Sequence, residues 1–136
     1  ALGKAQMSKF EWMIDERDQM AATLNERLSD LSGISVPNRP DYCDRVYLYY
    51  NLFFESPETQ RKLADYLSDQ AIPSRVTYDP VHLMPYYQSE WGWSKGDLPV
   101  TESVSGRVLT LPFHLDLSDD DLEYISGTIQ DFFNSK

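Results

Sequence analysis

At 136 residues and 41% hydrophobic, the chain can bury one core, and a single domain is the default expectation. Eighteen aromatic residues are too many for a disordered segment, and a formal charge of −10 leaves no basic footprint for a nucleic-acid backbone. The seven Arg and five Lys are scattered, with no polybasic block for an anionic membrane. One cysteine, Cys43, admits no intrachain disulfide, and two histidines without a Cys cluster do not make the usual zinc spacings. No apolar run approaches bilayer length and no signal-peptide pattern opens the chain, so the expected compartment is the cytoplasm.

From Leu2 to Leu31 apolar residues recur at helical spacing (Phe10, Met13, Ile14, Met20, Ala21, Leu24, Leu28, Leu31), which predicts one long amphipathic helix. Its start, Ala1-Leu2-Gly3-Lys4-Ala5-Gln6, offers no side chain to cap the first amides. That favours a helix continuing from a longer polypeptide. Trp12 falls off the main apolar stripe. Gly33 fits the turn after it, and Ser35 to Asp44, with Pro37 and Pro40, reads as a loop.

The β-branched and aromatic run Arg45 to Phe54 predicts a long central strand, with Tyr47 and Tyr49 on one face and Tyr50 on the other. Ser56-Pro57-Glu58 opens a capped helix that turns Leu63, Ala64, Tyr66 and Leu67 inward and ends near Gln70. Ile72 to Tyr78 reads as a second strand, Pro80 to Tyr87 as a turn and short helix, and Trp91 to Leu98 as a loop. A short helix at Pro99 to Ser105 leads into a strand at Val108 to Leu111. Ser118-Asp119-Asp120-Asp121 caps the last helix, whose inner face carries Leu122, Ile125, Ile129 and Phe132. Helices alternating with two or three strands make the fold class α+β, a small sheet covered by helices behind a long N-terminal helix.

Motifs of self-sufficient chemistry are absent. There is no G-x-G-x-x-G, no Walker lysine and no G-x-S-x-G elbow. Cys43 has only Tyr42 and Asp44 beside it and no base. The aspartate triplet is better explained as a helix cap than as an acid–base pair. The informative stretch runs from Ser74 to Tyr87. It sets Arg75, Tyr78, His82, Tyr86 and Tyr87 around a turn punctuated by Pro80 and Pro85, and prolines lower the entropy of holding side chains in place. On composition alone, an aromatic-lined turn with His82 capping a backbone group is the better explanation.

The order of motifs resembles the C-terminal region of the DegT/DnrJ/EryC1/StrS family of sugar aminotransferases. The resemblance is carried by Ala1-Leu2-Gly3-Lys4-Ala5-Gln6, by Arg45-Val46-Tyr47, and by Ala71-Ile72-Pro73-Ser74-Arg75 running into Pro80-Val81-His82. Gly96-Asp97-Leu98-Pro99-Val100-Thr101-Glu102 and Val108-Leu109-Thr110-Leu111-Pro112-Phe113-His114 complete it. Three positions depart from the family pattern: Met84 stands where Gln is common, Leu115 where Pro follows the His, and Ala71 where Gly is common.

The resemblance implies a single C-terminal small domain over residues 1–136 of a fold-type I aminotransferase dependent on pyridoxal phosphate (PLP). The helix over 1–31 would link it to a large domain that holds PLP, the Schiff-base lysine and the phosphate-binding residues. It further implies a nucleotide-linked keto-sugar substrate in polysaccharide or glycan precursor synthesis, a glutamate-type amino donor and a homodimer. His82 is implied as a substrate contact, flanked by Tyr78 and Tyr86, with Arg75 as an anion contact. None of Lys4, Lys9, Lys62, Lys95 and Lys136 has the family's lysine setting, so no PLP and no catalytic residue is expected in this chain alone. The alternative is a stand-alone, non-catalytic domain of the same fold that binds a ligand or protein partner.

Overall fold

A computed structural model describes residues 2–43, 46–76 and 79–135. Two of its helices begin where a serine side chain closes them. Ser56 caps α3 (Pro57–Asp69), its Oγ accepting from the Thr59 amide at 3.1 Å, with Pro57 in the first turn. Ser118 caps α6 (Asp119–Asn134) through a reciprocal box. The Asp121 amide donates to Ser118 Oγ at 3.2 Å, and the Ser118 amide to Asp121 Oδ2 at 2.9 Å. Those bonds from Ser118 hold the Asp121 carboxyl below the usual carboxylate range.

The opening helix lacks such a cap and is not one piece. α1 (Leu2–Met7) ends at Ser8 and Lys9, and α2 runs from Phe10 to Leu28. At the break Ser8 Oγ donates back to the Ala5 carbonyl at 2.8 Å, and the Lys9 amide takes the tighter bond to Gln6 at 3.0 Å. The continuous helix expected over residues 2–31 is thus corrected to two segments.

The sheet has four antiparallel strands, not two or three, in the order β1-β2-β4-β3. β1 (Ile34–Ser35) pairs with the end of β2 (Tyr50–Phe54), overlapping the first residue of the stretch expected as loop. β4 (Val108–Leu111) sits between β2 and β3 (Arg75–Val76). β2 is half the length expected because its partner stops: Tyr50 pairs with Leu111, and the next residue of β4 would be Pro112, which has no amide to donate. The carbonyls of Tyr47 and Leu48 turn instead to Arg17 Nη1, at 3.1 and 3.3 Å. Strand alternation therefore does not reach Tyr47. It is buried with Tyr50, while Tyr49 is half exposed, against the expected facing. Of the strand expected over 72–78, only Arg75 and Val76 pair among the described residues.

One face of the sheet (Tyr50, Leu52, Phe54, Leu109, Leu111) packs on Met20, Ala21, Leu24 and Leu28 of α2, Leu63 and Leu67 of α3, and the inner face of α6. Each such apolar side chain contributes roughly 1.5–3 kcal/mol, so burial outweighs any single cap. The Tyr50 hydroxyl donates to Asn25 Oδ1 at 2.8 Å; burial keeps it protonated far above the ordinary phenol range. α3 closes in a Schellman turn, Ile72 amide to Leu67 carbonyl at 2.8 Å and Ala71 amide to Ser68 at 3.0 Å. Ala71 holds the left-handed position at φ 58°, where glycine is usual.

Candidate functional site

From Asp79 to Ser105 the chain runs outside the core. Along this excursion His82 is the only buried residue among those described. Three prolines shape it. Pro80 precedes a 3₁₀ turn (Val81–Leu83), and Pro85 and Pro99 occupy the first turns of α4 (Pro85–Trp91) and α5 (Pro99–Ser105). Neither short helix buries a residue. Local backbone preference places these elements, but apolar burial does not hold them.

A polar cluster holds them instead. His82 Nε2 lies 3.0 Å from Glu102 Oε1. The same carboxylate accepts the Gly96 amide at 2.8 and 3.0 Å and the Leu98 amide at 3.4 Å, and so ties the turn, the loop and α5 together. Asp97 Oδ2 closes the loop by accepting from the Ser94 amide at 2.8 Å. Trp93 stands edge-on to the His82 ring, with centroids 6.2 Å apart. The bonds from His82 and then Gly96 hold the Glu102 carboxyl below the usual carboxylate range, against the opposing effect of burial. An ionised carboxylate only accepts, so this network assigns the proton to Nε2. His82 Nδ1 is then buried with no hydrogen-bond partner in the structure.

The residues singled out from sequence do not converge on one pocket. His82 faces inward to Glu102. Tyr86 is 63% exposed on α4, where it packs with Tyr87 (5.5 Å) and Trp91 (6.4 Å) in a surface cluster of rings. Arg75 lies on β3 at the edge of the sheet, its guanidinium 5.6 Å from the centre of the Tyr49 ring. Tyr78 lies outside the described residues. Glu102 and Trp93 were missed as site residues. The Gly-Asp-Leu-Pro-x-x-Glu run contained the only signal for Glu102, a carboxylate one turn inside a proline-started helix. An open apolar depression of about 460 Å³ lies between Pro80, Val81, Val104 and Val108. Among the described residues no group of His, Cys, Asp and Glu is placed to hold a metal, and no helix is long and apolar enough to cross a membrane.

A family model described as the DegT/DnrJ/EryC1/StrS aminotransferase family matches residues 1–130. The chain is 28% identical over 132 residues to the dTDP-4-dehydro-2,3,6-trideoxy-D-glucose 4-aminotransferase of Saccharopolyspora spinosa, covering 96% of this chain and 32% of that one. A DegT DnrJ EryC1 StrS aminotransferase from Brucella abortus superposes with a TM-score of 0.81 at 32% identity, over 95% of this chain and 33% of that one. The aminotransferase TlmJ of Streptoalloteichus hindustanus gives 0.86 at 25% identity, over 98% and 35%. These neighbours are fold-type I aminotransferases. The chain spans about a third of the length of the curated relatives it matches.

Proposed function

The chain belongs to the DegT/DnrJ/EryC1/StrS aminotransferase family, and from that premise we propose that it is the small domain of an enzyme that aminates a nucleotide-linked keto-sugar. The observation that carries this reading is a family match across 130 of the residues, joined by relatives whose names specify dTDP- and GDP-sugars. The coverage of only a third of those relatives supports a separate large domain in the complete protein.

The aminotransferase family implies PLP, which acts as an electron sink for the amino transfer when bound. None of the described lysines fits that group. Lys4, Lys9, Lys62 and Lys95 are exposed, and Lys62 is paired with Glu58 at 2.7 Å. A lysine that reacts at neutral pH needs burial or a cationic neighbour to lower its pKa, and none of these four is buried. No step is therefore assigned through PLP here. A glutamate-type donor and a homodimer belong to the same proposal for the complete protein.

Within it, this domain shapes part of the sugar-nucleotide pocket through the excursion from Asp79 to Ser105. Tyr86 and Arg75 present exposed polar groups toward ligand. His82, locked to Glu102, sets the form of the turn between them, and a direct contact from its ring requires that turn to open.

The test is the protein expressed with its upstream coding sequence and supplied with PLP, glutamate and a keto-sugar nucleotide. Formation of the amino-sugar nucleotide, read by mass spectrometry, is the expected result. His82→Ala should reduce that rate by roughly tenfold or more while leaving the PLP absorption spectrum unchanged. An upstream sequence without a PLP lysine, or no amination of any keto-sugar nucleotide, would favour the stand-alone binding domain instead.

A further inference from the structure

Two features of the His82 ring pull against each other. Glu102 Oε1 takes the Nε2 proton at 3.0 Å, a bond strengthened by the charge of the carboxylate. On the other side of the ring Nδ1 is buried with no hydrogen-bond partner among the described residues, in a side chain only 6% exposed. A lone pair shut away from water without a donor costs free energy of the same order as such a bond contributes. Opening of the turn breaks the first and hydrates the second, so the closed and open forms lie close in free energy.

The loop beside this ring is built to move as one body. The Ser94 amide and hydroxyl both donate to Asp97 Oδ2, at 2.8 and 3.1 Å, and the Asp97 amide returns to the Ser94 carbonyl at 3.2 Å. Among the described residues, positions 93–97 hydrogen-bond to the rest of the chain only through the Gly96 amide, and its acceptor is again Glu102. Gly92 (φ 72°) and Gly96 (φ 101°) stand in the left-handed region on either side of Trp93, whose ring is set edge-on to His82. A Cβ at either glycine would meet no atom within 4 Å, so both ends of the loop have room to rotate.

We propose that the His82 turn and the loop over residues 92–98 part as a two-state lid, with Glu102 as the single latch. Glu102 is then a positioning residue that acts through His82. Latched, it holds the imidazole covered; released, it hands both ring nitrogens to solvent or to ligand. The proposal rests on the aminotransferase reading only for what His82 meets once uncovered. The lid itself rests on the shared carboxylate and the unpartnered nitrogen.

The two histidines supply the test, since His82 is buried and His114 exposed. Diethyl pyrocarbonate acylates an uncovered imidazole nitrogen, and mass spectrometry of the digested chain reads each histidine separately. In the wild type His82 should react roughly tenfold or more slowly than His114. Glu102→Ala should raise the His82 rate about tenfold, and Glu102→Gln, which keeps a neutral acceptor, should raise it by less, with His114 unchanged in both. A second measurement uses no variant, and so decides the question even if Glu102→Ala loses its fold. In NMR relaxation dispersion the amides of His82, Gly96 and Leu98 should share one exchange rate on the microsecond-to-millisecond scale. Unrelated rates at those amides, no exchange at all, or equal His82 acylation in the wild type and a folded Glu102→Ala would each overturn the proposal. Concerted opening in a complete protein that aminates no keto-sugar nucleotide would overturn the functional reading and leave the lid standing. Amination by a protein whose His82 never becomes reactive would do the reverse.

Discussion

The core and the excursion from Asp79 to Ser105 solve the same problem with opposite physics. The core is closed by area. Leu24, Leu28, Leu52, Leu63, Leu67, Leu109 and Ile129 are all fully buried, and the energy is spread over many nondirectional contacts. The excursion has almost no apolar interior and is closed by one carboxylate that accepts from a histidine and two backbone amides. Spread energy resists small changes and gives way globally. Directional energy sits in a few atoms, so its loss is local, and it responds to pH.

The largest expected effect sharpens this contrast from the core side. Leu109→Ala, at the centre of the sheet, should cost about 2–5 kcal/mol in denaturant unfolding, whereas Val100→Ala, on exposed α5, should cost under about 0.5 kcal/mol. Near-equal losses would mean that the excursion is part of the core after all. Next in size, Ser118→Ala removes the hydroxyl's half of the capping box on α6, leaving the amide of residue 118 on Asp121, and should cost about 1 kcal/mol by the same measurement. Ala71→Gly should go the other way. Relief of a left-handed alanine exceeds the entropy that glycine adds to the unfolded chain, for a gain of about 0.5–1 kcal/mol.

The smallest global effect belongs to the excursion, and it would break the comparison if it were large. Glu102→Gln should leave the unfolding midpoint nearly unmoved while raising hydrogen exchange at the Gly96 and Leu98 amides. The Glu102 pKa is depressed in the folded chain. Its contribution is therefore present above the ordinary carboxylate range and is lost as pH falls through the lowered value. Protection of those two amides, taken relative to the free-peptide exchange rate at each pH, should fall on acidification in the wild type and stay flat in Glu102→Gln.

The same division governs what could be read from sequence. α5, β4 and α6 fall where expected because their signals are local: a proline at the first turn, a β-branched run after a glycine, a serine three residues before an aspartate. The start of β2 was not legible, since it depends on Pro112, just past a strand some sixty residues away, and on Arg17 taking two carbonyls. β1, two residues long, is too short for any alternation to register. At the candidate site His82 was visible as an unusual residue in a stiffened turn. Its partner Glu102 was not, because twenty residues of loop and helix separate them and only the tertiary fold brings the two together.

The unburied start of α2 has a consequence of its own. Met20, Ala21, Leu24 and Leu28 anchor the second half of that helix, but no residue from Leu2 to Gln19 is buried within this chain, and Leu2, Met7, Phe10 and Trp12 stand largely in solvent. A peptide of that length in water is near the limit at which a helix persists unaided, and the discontinuity at Ser8 shortens it further. The projecting half therefore borrows its order from the anchored half, as a rod clamped at one end. Helix lost from the Leu2 end costs little until the fraying reaches Arg17, which holds the Tyr47 and Leu48 carbonyls. Conversely, anything that grips the free end transmits its displacement along about 1.5 Å of rigid rise per residue into the centre of the core.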